Sequence, residues 1–167
     1  MASQCRAVGD AAMRNRSSER WPAGVVNVVF FTRGVMAVGA VVVVLLGAEC
    51  TGKSSLAAAL RDALAADGQD AVVVPEYLRE FCDARGRTPL VGEQSAIADV
   101  QSARIAAAAQ RHAIVIADTS ALMTAVYSDL YFGDTSLYAS ALELHQRSDV
   151  TLLTGLDLPW QADGFQR

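Results

Sequence analysis

An α/β fold with a parallel sheet and flanking helices is what this sequence predicts, and three observations predict it. Short runs rich in Val and Ile alternate with helix-forming stretches from Val38 onward. A glycine-rich loop, Gly47-Ala48-Glu49-Cys50-Thr51-Gly52-Lys53-Ser54, joins the first strong apolar run to the first helical stretch. Two later runs, Val72–Val74 and Ile114–Ala117, are followed by acids, Glu76 and Asp118. Strand–helix alternation of this kind builds parallel strands joined by crossover helices.

Each element follows from its residues. Residues 1–24 are rich in Arg, Ser and Ala and have no apolar periodicity, which predicts a disordered extension. Met36 stands just before the first strong strand, so residues 1–35 are expected to lie outside the fold and residues 36–167 to form the domain. Val41–Leu46 reads as a strand. Lys53–Ala66 carries Leu56, Leu60 and Leu64 at helical spacing. Asp67-Gly68-Gln69-Asp70 is turn chemistry, Ala71–Val74 a second strand ended by Pro75, and Glu76–Asp83 a short helix. Ala84–Gly92 reads as a loop and Glu93–His112 as a long Ala-rich helix. Ile114–Ala117 is a third strand. Ser120–Phe132 and Ser136–Arg147 are helices on either side of Gly133-Asp134, and Val150–Leu153 is a fourth strand.

Composition excludes several classes. Of the 167 residues, 52% are hydrophobic and 19% charged, which is a globular balance. A net charge of −4 argues against a nucleic-acid surface as the main partner. Arg6, Arg14, Arg16, Arg20 and Arg33 make the first 34 residues positive and leave the remainder acidic. Cys5, Cys50 and Cys82 show neither a pairing pattern nor metal spacing, which suits a reducing cytoplasm. The apolar run Gly34–Ala48 is shorter than the ~20 residues of a spanning helix. It is Val-rich and enters a glycine loop, so a buried parallel strand is expected there and no membrane segment. A signal peptide is disfavoured because the apolar stretch starts late and no small-residue cleavage site follows.

The loop has the form Gly-x-x-x-x-Gly-Lys-Ser between a strand and a helix, the context in which this pattern cradles phosphates. Gly47 and Gly52 let the backbone curl so that N–H groups form an anion nest, and the helix start adds its positive dipole end. Lys53 supplies a point charge for the β- and γ-phosphates of ATP, and the Ser54 hydroxyl a ligand for Mg²⁺. Asp118 has two readings, a carboxylate that orients the Mg²⁺ shell or a helix N-cap in Asp118-Thr119-Ser120; the strand-end position favours the metal role. Glu76 is either a base or positioner for an accepting hydroxyl, or a helix cap. Arg79, one turn on, is either a substrate contact or a solvated charge.

Together these segments resemble a known family. Gly47 to Leu56, including Ser55, is similar to the phosphate loop of the nicotinamide riboside kinase domain of NadR-type proteins. Val74-Pro75-Glu76-Tyr77-Leu78-Arg79-Glu80 resembles that family's Pro-Glu-Tyr-x-Arg-Glu segment. Ile116-Ala117-Asp118-Thr119 resembles its second acidic strand end, and Leu152 to Gly164, through Asp157, Pro159, Trp160 and Asp163, its Asp-x-Pro-Trp-x-x-Asp-Gly segment. The resemblance implies a compact ATP-dependent kinase that phosphorylates the ribosyl 5′-hydroxyl of nicotinamide riboside or a similar nucleoside, with Mg²⁺. It places Lys53, Glu76, Asp118 and Arg79 at the catalytic centre and Glu76, Tyr77, Arg79, Asp157, Trp160 and Asp163 at the acceptor. Trp160 is either a cover for the flat ring or a plug under a lid. Cys50 stands where the family loop has Ser. The family continues through a lid, a helix and a fifth strand, so the domain is expected to be C-terminally truncated and to lack its last strand. Close relatives are described as AAA-type ATP-binding proteins, and the alternative is a non-catalytic ATP-binding module. The chain carries no arginine-finger evidence for an AAA motor.

Overall fold

A computed structural model of the protein describes residues 28–32 and 39–159, the first of these as backbone only. The sheet has five strands: β1 (Val28–Thr32), β2 (Val41–Leu46), β3 (Ala71–Val74), β4 (Ile114–Asp118) and β5 (Val150–Thr154). Their spatial order is β1-β5-β2-β4-β3. The strands β5, β2, β4 and β3 are mutually parallel, while β1 runs antiparallel to β5 at the edge. The helices are α1 (Lys53–Ala66), α2 (Tyr77–Arg85), α3 (Gln94–Ala109), α4 (Ala121–Phe132) and α5 (Tyr138–His145). A 3₁₀ turn, Val91–Glu93, leads into α3.

β2 and β4 are the central strands, and their residues are nearly continuous apolar runs because both sheet faces are covered. Leu45, Ile116, Ala57 and Leu152 form one buried cluster beneath α1. Val44, Leu46 and Ala117 form another on the opposite face with Ile105, Leu122 and Met123. Fully burying a side chain such as Leu45, which has no exposed surface, contributes about 1.5–3 kcal/mol. Asp149 pins the start of β5 to β2: its carboxylate accepts from the Val42 N–H at 2.8 Å and its own N–H donates to the Val42 carbonyl at 2.9 Å.

The expected strand and helix order matches the structure, with ends that shift by a few residues. The second helix begins at Tyr77 and ends at Arg85, two residues beyond its expected end, where Gly86 adopts the left-handed conformation of a helix stop. The last helix is shorter than expected and begins at Tyr138, after Asp134 accepts from the Ser136 N–H and holds the turn. One expectation is corrected. Val28–Thr32 lies inside the segment expected to stay outside the fold, yet it pairs along β5 with Val28 opposite Thr154 and Thr32 opposite Val150. The physical reason is local: Val-Val-Phe-Phe-Thr is β-branched and aromatic, and without it β5 would present an unpaired edge. The sheet edge beside β5 is occupied by β1. The rest of the expected extension, residues 1–27 and 33–35, lies outside the described residues. Among the described residues no helix is long and apolar enough to cross a membrane.

Candidate functional site

Parallel strands all point their carboxyl ends to one edge, and ligands collect there. At that edge the ends of β2, β3 and β4, the start of α1 and the segment after β5 surround a cleft of about 610 Å³. The glycine loop forms one wall through Gly47 and Glu49 to Ser55. Glu76 and Arg79 form another, with Thr119, Tyr127, Leu158 and Pro159 completing it.

The loop's shape depends on backbone states that side chains resist. Gly47 has φ 144° and Gly52, the residue before α1, has φ 78°. Cys50 is also left-handed at φ 57°, so the loop tolerates a thiol in place of Ser but holds it in an uncommon conformation. No side chain caps the start of α1, which leaves its first N–H groups and the dipole end for an anion. The Lys53 ammonium donates to the carbonyls of Gly47 at 3.0 Å and Ala48 at 2.6 Å. An ammonium has three donors, so these two bonds leave one for a phosphate oxygen.

The loop is buttressed from below. The Thr51 hydroxyl donates to the Ala48 carbonyl at 2.8 Å. The Thr154 hydroxyl lies 2.7 Å from the Thr51 hydroxyl and 3.1 Å from the Leu46 carbonyl. Both threonines are buried.

Asp118 ends β4 and is 4% exposed. One carboxylate oxygen accepts from the Ser54 hydroxyl at 2.5 Å, which joins the two predicted metal ligands across the cleft. Its other oxygen is buried and has no hydrogen-bond partner. A buried, unpartnered carboxylate oxygen beside a serine hydroxyl fits Mg²⁺, a hard cation that takes oxygen ligands and keeps waters. No cluster of three or more His, Cys, Asp or Glu suited to a metal occurs among the described residues. The helix-cap alternative for Asp118 fails, because Ser120 is the residue that caps α4 and accepts from the Leu122 N–H at 3.3 Å.

Glu76 also precedes a helix without capping it through its side chain. The job passes to Gln101 of α3, whose side-chain oxygen accepts from the Tyr77 N–H at 2.8 Å. The Glu76 side chain lines the cleft, 11% exposed and 3.8 Å from the Arg79 guanidinium.

The other predicted residues divide. Ser55 lines the cleft and Ala48 does not, although its carbonyl holds Lys53. Tyr77, expected at the acceptor, instead turns toward α3: the Arg104 guanidinium lies 4.6 Å from its ring centre and Phe81 packs edge-on at 6.5 Å. Arg104 is itself paired with Glu80 at 2.5 Å, so this side of α2 is a packed interface with α3. Asp157 is exposed and is not among the cleft-lining residues. Trp160 and Asp163 lie outside the described residues.

Four cleft residues were missed: Thr119, Tyr127, Leu158 and Pro159. Thr119 directly follows Asp118 and has φ 96°, a conformation that costs a β-branched residue about 1–3 kcal/mol. Strain of that size at a strand end carries no sequence signature. Tyr127 sits two turns into α4, and its ring stacks on Tyr131 at 5.9 Å. Only its spacing from Asp118 could have pointed to it.

A family model described as an AAA domain matches residues 42–167, from β2 to the last residue. The chain belongs to the AAA domain family. This AAA domain has a phosphate loop on β2, a carboxylate on the adjacent β4 and a four-strand parallel sheet, which is the arrangement of a P-loop nucleotide-binding protein. No curated protein matches the chain.

Proposed function

We propose that this AAA domain is an ATP-dependent kinase that transfers the γ-phosphoryl group to the hydroxyl of a nucleoside, with the ribosyl 5′-hydroxyl of nicotinamide riboside as the leading acceptor. One observation carries this reading beyond nucleotide binding. Glu76 and Arg79 line the same cleft as the phosphate loop, and the Tyr77 N–H that opens α2 donates to Gln101 and not to Glu76. A carboxylate and a guanidinium beside the phosphate loop are the groups that transfer to an acceptor hydroxyl would use.

The division of labour follows from the chemistry. Lys53 and the loop N–H groups bind and orient the phosphates of ATP. Ser54 and Asp118 would hold Mg²⁺, which neutralises charge on the phosphate oxygens when bound. Glu76 accepts the proton of the acceptor hydroxyl as its oxygen bonds to the γ-phosphorus and the bond to the ADP oxygen breaks. Arg79 steadies the Glu76 carboxylate or the transferring group, and Tyr127 gives the cleft a flat apolar wall.

The test is acceptor-dependent ADP release, measured in a coupled assay with a panel of nucleosides. Release that requires nicotinamide riboside or another nucleoside supports the kinase. ATP binding with no acceptor dependence across the panel would leave a non-catalytic nucleotide module instead.

A further inference from the structure

Thr154 is far from the phosphate loop in the chain and next to it in the fold. It is the last residue of β5 and is 5% exposed. A Cβ placed on Gly47 would stand 2.0 Å from the Thr154 hydroxyl oxygen, and 3.2 Å from that of Thr51. The Thr154 side chain therefore occupies the space that the absent Gly47 side chain vacates. Its hydroxyl reaches both the Leu46 carbonyl, at the end of β2, and the Thr51 hydroxyl, in the middle of the loop.

We propose that Thr154 is a positioning residue for the phosphate loop: its hydroxyl ties the curl of the loop to the end of the sheet and so sets the loop's affinity for a polyphosphate. The proposal rests on nucleotide binding by this loop and not on phosphoryl transfer. Thr51 and Thr154 carry two hydroxyl protons for three contacts, at 2.7, 2.8 and 3.1 Å. The arrangement that donates from Thr154 to Thr51 and from Thr51 to Ala48 runs one unbroken chain from β5 into the loop. Its far end is the Ala48 carbonyl, which also accepts from the Lys53 ammonium. The same hydroxyl network thereby fixes a carbonyl that parks the phosphate-binding lysine. On its other side Thr154 is paired in register with Val28 of β1, one residue past the last β2 pair of Leu46 with Leu153, so the backbone that presents the hydroxyl is held by the sheet. A loop held in its binding shape before the ligand arrives binds without the cost of ordering.

The experiment uses the full chain and measures dissociation constants for Mg·ATP and for inorganic tripolyphosphate by calorimetry, beside thermal melting. The variants are Thr154→Val, which removes the hydroxyl and keeps the shape, and Thr154→Ser, which restores it. Thr151→Val is the control, since its hydroxyl lies on the same strand but contacts His145 at 3.2 Å and not the loop. The expected result is a rise in both dissociation constants of roughly 5–30-fold for Thr154→Val, with Thr154→Ser and Thr151→Val close to the parent. A purely structural threonine would lower the melting temperature of Thr154→Val and leave both affinities unchanged, and that result overturns the proposal. Should Thr154→Val not fold, Thr51→Val cuts the same link from the loop side and is read by the same two outcomes. Failure of the parent to bind either ligand would overturn the nucleotide reading and this inference with it.

Discussion

Replacing Gly47 with alanine tests the loop geometry most directly. The added Cβ would meet the Thr154 hydroxyl oxygen at 2.0 Å, whereas real Cβ contacts stay beyond about 3 Å, so something must move by about 1 Å or more. Thr154 cannot yield freely, because its side chain is buried and its hydroxyl lies within hydrogen-bond reach of both the Leu46 carbonyl and the Thr51 hydroxyl. Rotating it away leaves buried polar groups unsatisfied, at about 1–3 kcal/mol. Keeping alanine at φ 144° adds backbone strain of about 1–3 kcal/mol. The sum, about 2–6 kcal/mol, is divided between fold stability and the loop's binding shape. If half falls on binding, the Mg·ATP dissociation constant rises roughly 5–150-fold. Calorimetry gives the affinity and a urea titration the stability, and the two losses together should fall in that range. A Gly47→Ala protein with parental affinity and parental stability would refute the argument that the loop is closed against Thr154.

Four other outcomes are expected. Lys53→Ala should keep the fold and weaken Mg·ATP binding by more than about tenfold, because the ammonium makes charge-assisted bonds that alanine cannot; unchanged affinity by calorimetry would move the phosphate site elsewhere. Glu76→Gln should lower acceptor-dependent turnover by roughly 10²–10⁴-fold with ATP affinity nearly unchanged, and a parental rate with nicotinamide riboside would remove Glu76 from the transfer step. A chain beginning at Met36 loses the β1 ladder on β5 and should be destabilised by roughly 2–4 kcal/mol at about 1 kcal/mol per ladder bond; equal melting temperatures would show that the edge strand contributes nothing. The Arg87 guanidinium and the Leu90 N–H hold the Glu93 carboxyl down to about 2 from 4.5, so the unfolded chain binds the extra proton first. Stability from this pair is therefore present above about pH 4.5 and lost as pH falls toward 2. Melting curves of Arg87→Gln should be flatter than the parent's across that window, and identical slopes would exclude the pair.

The order of strands and helices was legible in the sequence because it depends on local chemistry. A run such as Val41–Leu46 is apolar at every position, as a strand covered on both faces must be, and Gly52 and Gly133 mark helix ends by their left-handed backbones. The phosphate loop was legible for the same reason: its glycines, lysine and serine are contiguous, and the motif is itself a backbone shape. Ser54 and Asp118 were named separately, and the sheet brought them within 2.5 Å by pairing β2 with β4 in parallel.

What only the tertiary structure decided was which side chain serves which neighbour across the chain. Glu76 and Tyr77 are adjacent in sequence, yet one lines the cleft and the other packs on Arg104, because Glu76 is still extended before α2 while Tyr77 is its first helical residue. Gln101 took over the capping of α2 from a helix that the sequence reads only as Ala-rich. Val28–Thr32 joined the sheet because a partner edge was present on β5, and edge pairing is a contact between distant segments with no local mark of its partner. Thr154 met Gly47 through the same packing. The glycine announces that the backbone must curl, but nothing in its neighbourhood says that a threonine more than a hundred residues later fills the space it leaves. Local conformation is set by bonded and near-neighbour sterics, which a sequence displays. Complementarity between distant surfaces exists only once the chain has folded.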